Sequence, residues 1–257
     1  MEIIRSRQNP LVKHLIKLAE NRRERLKSCQ TLLIGAHLVK AALDTDWPIE
    51  ALLVCEGHEQ KDEIQTLLSL NKARILALDA TLFQAIEQAP SSSGIIALSA
   101  IPKEPALATT GLCLLLENLQ DPGNVGTILR TAAAAGVDQV WLTSGCADVW
   151  SPKVLRAGMG AHFHLALRDR IDISVALQAF DGPLCITTLD DATSLYQTDL
   201  RGNMVLALGS EGSGISSTLL HRATRRIHIP MAIGIESLNV AAAAAICLFE
   251  RRRQILA

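Results

Sequence analysis

Five short, mostly apolar runs lie past Gly111, separated by stretches patterned for helices. The runs are Leu112–Leu116, Gln139–Leu142, Leu184–Thr188, Met204–Leu208 and Arg226–Ile229. The helical stretches are Gly126–Ala135, Pro152–Met159, Ile173–Phe180, Ser216–Arg222 and Ser237–Arg253. A strand that is apolar on both sides has no face to give to water, so it must be covered twice. Parallel strands also need long crossover connections, which intervening helices supply. The pattern predicts an α/β domain with a parallel sheet covered on both faces. Hydrophobic residues make up 49% of the chain and aromatic ones only 3%. Such a core is built from Ala, Leu, Val and Ile, which suits helices on a sheet better than an aromatic-rich sandwich.

The first half repeats the alternation on a smaller scale. Leu11, Leu15 and Leu18 fall at helical spacing among Lys13, Lys17, Arg22, Arg23 and Arg25, which predicts an amphipathic helix with one basic face. Strands are predicted at Leu32–Ile34, Ala51–Val54, Ile75–Leu78 and Gly94–Leu98, with helices at His37–Leu43, Lys61–Leu70 and Thr81–Gln88. The stretch Ile101–Gly111 holds Pro102 and Pro105 and ends in Thr-Thr-Gly, so it reads as a linker. Two domains are expected: 1–100 and 112–257, joined by 101–111.

The net charge of −1 does not mark a nucleic-acid binder, but its distribution is uneven. Residues 1–27 hold eight lysines and arginines against three acidic residues. Such a segment is either an electrostatic footprint for phosphate or a solvated helix face. The six cysteines are scattered and form no C-x-x-C pair, so neither a zinc site nor a disulfide framework is expected. His162 and His164 form an H-x-H pair in an expected strand, and no metal is expected there. With no membrane span and no signal-peptide core, a cytoplasmic location is expected.

Three stretches couple an apolar run to a glycine turn and polar side chains. The first is Glu117-Asn-Leu-Gln-Asp-Pro-Gly-Asn-Val-Gly-Thr-Ile-Leu-Arg130. A helix beginning near Asn124 would point free N–H groups into the turn, which suits an anion such as an RNA phosphate. Six positions separate Asn124 from Arg130, so they share no helix face unless Asn124 acts from the turn. The second, Gly209-Ser-Glu-Gly-Ser-Gly214, follows neither the dinucleotide nor the nucleoside-triphosphate loop pattern. Its glycines permit close backbone approach to a ligand, and Glu211 stands at its centre. In the third, Ile229 to Val240, Ser237 is the expected N-cap of the last helix and Asn239 the residue just inside it.

Together these stretches resemble the three signature motifs of the SpoU/TrmH family of RNA ribose 2′-O-methyltransferases, within the SPOUT superfamily. The resemblance implies a SPOUT α/β domain whose last 50 or so residues thread a trefoil knot. It implies S-adenosylmethionine as cofactor, held by Thr188, Gly209, Ile229, Met231 and Leu238. It implies Asn124, Arg130, Glu211, Ser237 and Asn239 as catalytic residues, with Arg130 either accepting the ribose 2′-hydroxyl proton or orienting phosphate and steadying developing charge. Segment Ser151–Gly160, with Lys153 and Arg156, matches a family stretch near the active site or dimer interface. The leading 100 residues resemble the family's ribosomal-protein-like α/β RNA-binding domain, carried by Asn9–Lys13, the Gly35-x-His37-Leu38-Val39 turn and Ser93-Gly94-Ile95. The implied enzyme is a homodimer acting on ribosomal RNA. The alternatives are a transfer RNA methyltransferase and a non-catalytic RNA-binding protein of the same fold.

Overall fold

The computed structural model describes residues 3–88, 92–210, 212, 214–235 and 237–257. Through Ala100 the elements are β1 (Ile3–Ile4), α1 (Pro10–Glu20), α2 (Arg22–Ser28), β2 (Gln30–Ile34), α3 (Ala36–Asp44), β3 (Ile49–Cys55), α4 (Asp62–Leu70), β4 (Arg74–Leu78), α5 (Ala80–Glu87) and β5 (Ile95–Ala100). From Leu112 they are β6 (Leu112–Leu116), α6 (Pro122–Ala135), β7 (Gln139–Leu142), α7 (Pro152–Gly158), β8 (Ala166–Arg168), α8 (Ile173–Ala179), β9 (Leu184–Thr187), β10 (Thr193–Ser194), β11 (Met204–Leu208), α9 (Ser217–Arg222), β12 (Arg225–His228) and α10 (Val240–Leu256). They form two compact units: residues 1–103 with 150–163, and residues 104–149 with 164–257.

The first unit is built on a five-stranded mixed sheet in the order β1-β4-β3-β5-β2. Val12, Leu15 and Leu18 of α1 and Leu82, Phe83 and Ile86 of α5 bury one face of it against Leu32, Leu53 and Ile96. The single basic helix expected here is two helices. Asn21 takes an extended backbone and its side chain accepts from the N–H groups of Arg23 and Glu24, so it ends α1 and caps α2. The break turns Arg25 inward. It is 4% exposed and donates to the Leu18 carbonyl, so it is no part of a basic face. Lys13, Lys17, Arg23 and Lys27 stay exposed.

Segment 150–163 belongs to this unit although it comes from the second half of the chain. Helix α7 packs on β2. The Thr31 hydroxyl donates to the Trp150 carbonyl at 2.6 Å, and the Trp47 ring lies 4.8 Å from that of Phe163. The H-x-H pair is not on a strand. His162 is buried in a single helical turn, Ala161–Phe163, beside the Trp150 ring, and the strand begins only at Ala166.

The second unit is a seven-stranded, wholly parallel sheet in the order β10-β12-β9-β11-β6-β7-β8. Cys113, Leu115, Trp141, Ile186, Val205 and Ala207 pack under Ala176, Phe180 and Leu219. Five of the seven strands are those the apolar runs predict. β8 and β10, three and two residues long at the two edges, are too short to show a period. The chain winds from β6 outward through β7 to β8, and the later strands lie on the other side of β6. In such a sheet the crevice at the carboxyl ends of the strands where winding reverses is the place for a ligand. Leu116 ends β6 directly opposite Leu208, the last residue of β11, so the first and second motifs leave the sheet side by side. No described helix is long and apolar enough to cross a membrane.

Candidate functional site

The three motifs lie at the carboxyl ends of β6, β11 and β12 and are tied to one another. The Glu117 N–H donates to the Leu208 carbonyl at 2.9 Å. Its carboxylate, 4% exposed, accepts from the Ser216 N–H at 2.8 Å, across to the residue that caps α9. Asn118 follows in the left-handed region, φ 56°, and its N–H donates to the Thr143 hydroxyl at 3.0 Å. Asparagine is among the few residues that tolerate this backbone.

Helix α6 starts earlier than expected, at Pro122. The Asp121 carboxylate accepts from the Asn124 N–H at 2.7 Å, and proline fills the first turn, where a missing N–H costs nothing. Asn124 therefore stands in the first turn of the helix. At the third motif the expected N-cap is corrected. Ser237 precedes the helix, and Asn239 caps it by accepting from the N–H groups of Ala241 and Ala242. The Asn239 side-chain N–H donates to the Asn124 Oδ1 at 3.0 Å, which joins the first and third motifs. Replacing Asn239 with alanine is expected to cost about 1 kcal/mol, as for a lost cap. Replacement with aspartate, which still caps but cannot donate to Asn124, is expected to keep nearly full stability. Urea midpoints check this, and equal losses in both variants would remove the capping role.

Two cavities open at this end of the sheet. One, of about 240 Å³, is lined by all five expected cofactor residues, Thr188, Gly209, Ile229, Met231 and Leu238, together with Ser237. Leu208, Ile215, Ile227 and Val240 make its walls apolar. The other, of about 630 Å³, is the more polar of the two, lined by Asn118, Gln120, Asp121, Asn124 and Gly212 beside Leu119. They meet at Ser210 and Val240, which line both. Among the described residues, the main-chain groups of Gly209, Ile229, Met231 and Leu238 make no hydrogen bond. Unpaired main-chain groups in an apolar slot are suited to the edge of a heterocycle.

Arg130 lines neither cavity. It is exposed on α6, six positions beyond Asn124, about 9 Å of helical rise, and helical side chains lean back toward the N-terminus. Glu211 lies outside the described residues. Asn118, Ser210 and Glu117 were not singled out from sequence, although a polar pair closing an all-apolar strand, as Glu117-Asn118 closes β6, is a usable signal. Burial pushes the thiols of Cys113, Cys185 and Cys247 up to about 12, so they remain protonated core residues with no nucleophilic part.

The profile of the SpoU rRNA Methylase family matches residues 111–249, which contain all three motifs and both cavities. The chain belongs to the SpoU rRNA methylase family. A second profile, the MRM3-like substrate binding domain, matches residues 9–97. Among SpoU relatives, the 23S rRNA (guanosine(2553)-2′-O)-methyltransferase RlmP of Bacillus subtilis is 34% identical, over 98% of this chain and 100% of its own. The AdoMet-bound rRNA methyltransferase of Sinorhizobium meliloti superposes with a TM-score of 0.84 at 26% identity, covering 100% of this chain and 99% of its own. The SpoU methyltransferase AviRb of Streptomyces viridochromogenes, solved in complex with AdoMet, reaches a TM-score of 0.89 over 97% of this chain and 99% of its own. At 23% identity AviRb speaks for the SpoU fold alone.

Proposed function

We propose that this chain methylates a ribose 2′-hydroxyl of ribosomal RNA with S-adenosylmethionine as donor. One observation carries the reading: an apolar cavity with unpaired main-chain groups adjoins a polar one, and the two meet at Ser210 and Val240. The apolar slot fits an adenosine, with Gly209, Ile229, Met231 and Leu238 offering main-chain groups to the base. The bound cofactor supplies an electrophilic methyl group on a sulfonium. The polar cavity takes the ribose. Asn124 and Asn239, bonded to each other, and Ser237, which lines the apolar slot, hold the hydroxyl in line with the methyl, a placement able to supply much of a rate enhancement.

Arg130 orients the RNA phosphate and offsets charge developing on the ribose oxygen. A guanidinium holds its proton at any ordinary pH, which favours this over a role as base. Its exposure outside both cavities supports a homodimer in which each copy's Arg130 reaches RNA at its partner's site. Residues 1–100 bind the RNA, 101–111 link, and 112–257 catalyse and carry the trefoil knot. The names of the relatives support ribosomal over transfer RNA as substrate, and RlmP, a bacterial enzyme acting on 23S rRNA, supports a cytoplasmic location.

Titration with S-adenosylmethionine is expected to give one site per chain, and deleting the gene to remove one ribose methyl group from ribosomal RNA on mass-spectrometric mapping. No cofactor binding, or an unchanged methylation map, sinks the reading.

A further inference from the structure

We infer that the second unit carries a further binding surface for unpaired RNA, distinct from the transfer site, at the sheet edge where β10 and β12 begin. The inference rests on the RNA reading above. A third cavity, of about 490 Å³, opens there and shares no lining residue with the two already described. Thr193, Gln197, Thr198, Thr224, Arg225 and Arg226 make it polar.

The arginines are held in a way that leaves their charge available. Arg225 donates to the Asp199 carbonyl oxygen at 2.7 Å, and Arg226 to the Leu220 carbonyl oxygen at 3.4 Å. Main-chain carbonyls orient a guanidinium fork without cancelling its charge. The carboxylate of Asp199 is taken by Arg201 at 2.8 Å, and among the described residues Arg225 has no carboxylate within ion-pair distance. Among the described residues Arg226 has only Asp191, which also lines the cavity, at 3.9 Å on a side chain 94% exposed. A pair so long and so exposed contributes little. Arg222, exposed at the end of α9, lines an adjoining groove that meets this cavity at Thr224. Two guanidinium groups of the cavity, with Arg222 in the adjoining groove, thus face the loosely placed Asp191 and an Asp199 carboxylate that Arg201 already holds.

The segment that supplies part of the cavity wall also carries an exposed aromatic ring. Tyr196 is the one tyrosine of the chain, is 57% exposed, and directly precedes Gln197 and Thr198 of the cavity wall. Unpaired RNA is recognised by this combination, with bases stacked on a ring and phosphates on arginine. Threonine hydroxyls add neutral donors to phosphate oxygens. A small anion would use the arginines and ignore the ring. Arg225 opens β12 and His228, which closes it, lines the cofactor cavity, so about 10 Å of strand separates the two sites and a few nucleotides can span them.

The test is equilibrium binding of the full chain to a single-stranded RNA oligonucleotide of mixed sequence over a range of potassium chloride. Arg225→Gln with Arg226→Gln is expected to flatten the slope of log K against log salt by about 1.4, at ~0.7 for each phosphate no longer neutralised. Tyr196→Ala is expected to weaken binding about 5- to 150-fold, the loss of one stacked base, with the slope unchanged. Asp191→Asn is expected to strengthen binding, an outcome that misfolding cannot mimic. An unchanged slope in the double arginine variant overturns the inference. Displacement of the RNA by inorganic phosphate as readily as by unlabelled RNA also overturns it, in favour of a small-anion site. A wild-type chain that binds RNA in this way but not S-adenosylmethionine sinks the methyltransferase reading and leaves this one standing.

Discussion

Arg130→Ala is expected to lower the methylation rate by about 10²–10³-fold, the range for losing one donor that stabilises charge developing in the transition state, with S-adenosylmethionine affinity unchanged. The separation follows from position. Arg130 is exposed and lines neither cavity, so its removal leaves the apolar slot intact. Among the described residues it has no ion pair or hydrogen-bonded side-chain partner, so stability should move by no more than about 0.5 kcal/mol, as at ordinary surface sites. Arg130→Lys keeps the charge but not the planar fork that grips phosphate at two points, so only partial recovery is expected. Single-turnover rates with saturating RNA, beside a cofactor titration and a urea melt of each variant, distinguish these effects. Unchanged turnover removes Arg130 from the chemistry. A parallel loss of stability makes it a structural residue. If it serves the partner's site, mixing Arg130→Ala chains with Asn239→Ala chains restores activity that neither variant has alone.

The parallel sheet was legible because its central strands are apolar on both faces. Leu112–Leu116 and Met204–Leu208 are buried along their whole length, and nothing but a doubly covered strand explains such runs. What the sequence concealed follows from short range and long range alike. Two-residue β10 and three-residue β8 owe their strand geometry to neighbours, since so few residues have no period of their own. The break at Asn21 was hidden because asparagine is only mildly unfavourable inside a helix, and its use as a cap depends on the backbone around it. The same property misdirected the reading of the last helix, where Ser237 and Asn239 are both fit to cap. Asn239 takes the role while also reaching Asn124, a partner 115 positions away along the chain. Membership of segment 150–163 in the first unit is equally non-local, resting on Trp47, Trp150 and Phe163. The five expected cofactor positions, which line one cavity, were named from a motif resemblance. Periodicity and composition alone would not have found them.

Gly209→Ala is expected to damage cofactor binding at a residue with no side chain to lose. From sequence, the glycines of the second motif suggest close approach to a ligand. At Gly209 the close approach is to the chain itself. A β-carbon there would lie 2.2 Å from the Gly214 carbonyl oxygen and 2.5 Å from the Ile215 nitrogen. Both are main-chain atoms in a loop pinned by two bonds, Ser210 N–H to the Gly214 carbonyl at 3.1 Å and Gly214 N–H to the Ser210 carbonyl at 2.8 Å. They cannot yield by a side-chain rotation, so the loop must open. Overpacking of this kind costs about 1–3 kcal/mol. Because Ser210 is a shared wall of both cavities, the cost falls on ligand binding more than on the sheet beneath, which is buried and paired on both sides. Borne wholly by the bound state, it is roughly a 5- to 150-fold loss of S-adenosylmethionine affinity. Gly212→Ala, three residues on and with nothing within 4 Å of the added carbon, is the matched control and should bind as the wild type does. Calorimetric titration of the two variants decides between the accounts. Equal affinities would mean that the loop accommodates a methyl group at Gly209 and that the clash with Gly214 and Ile215 does not reach the cofactor slot.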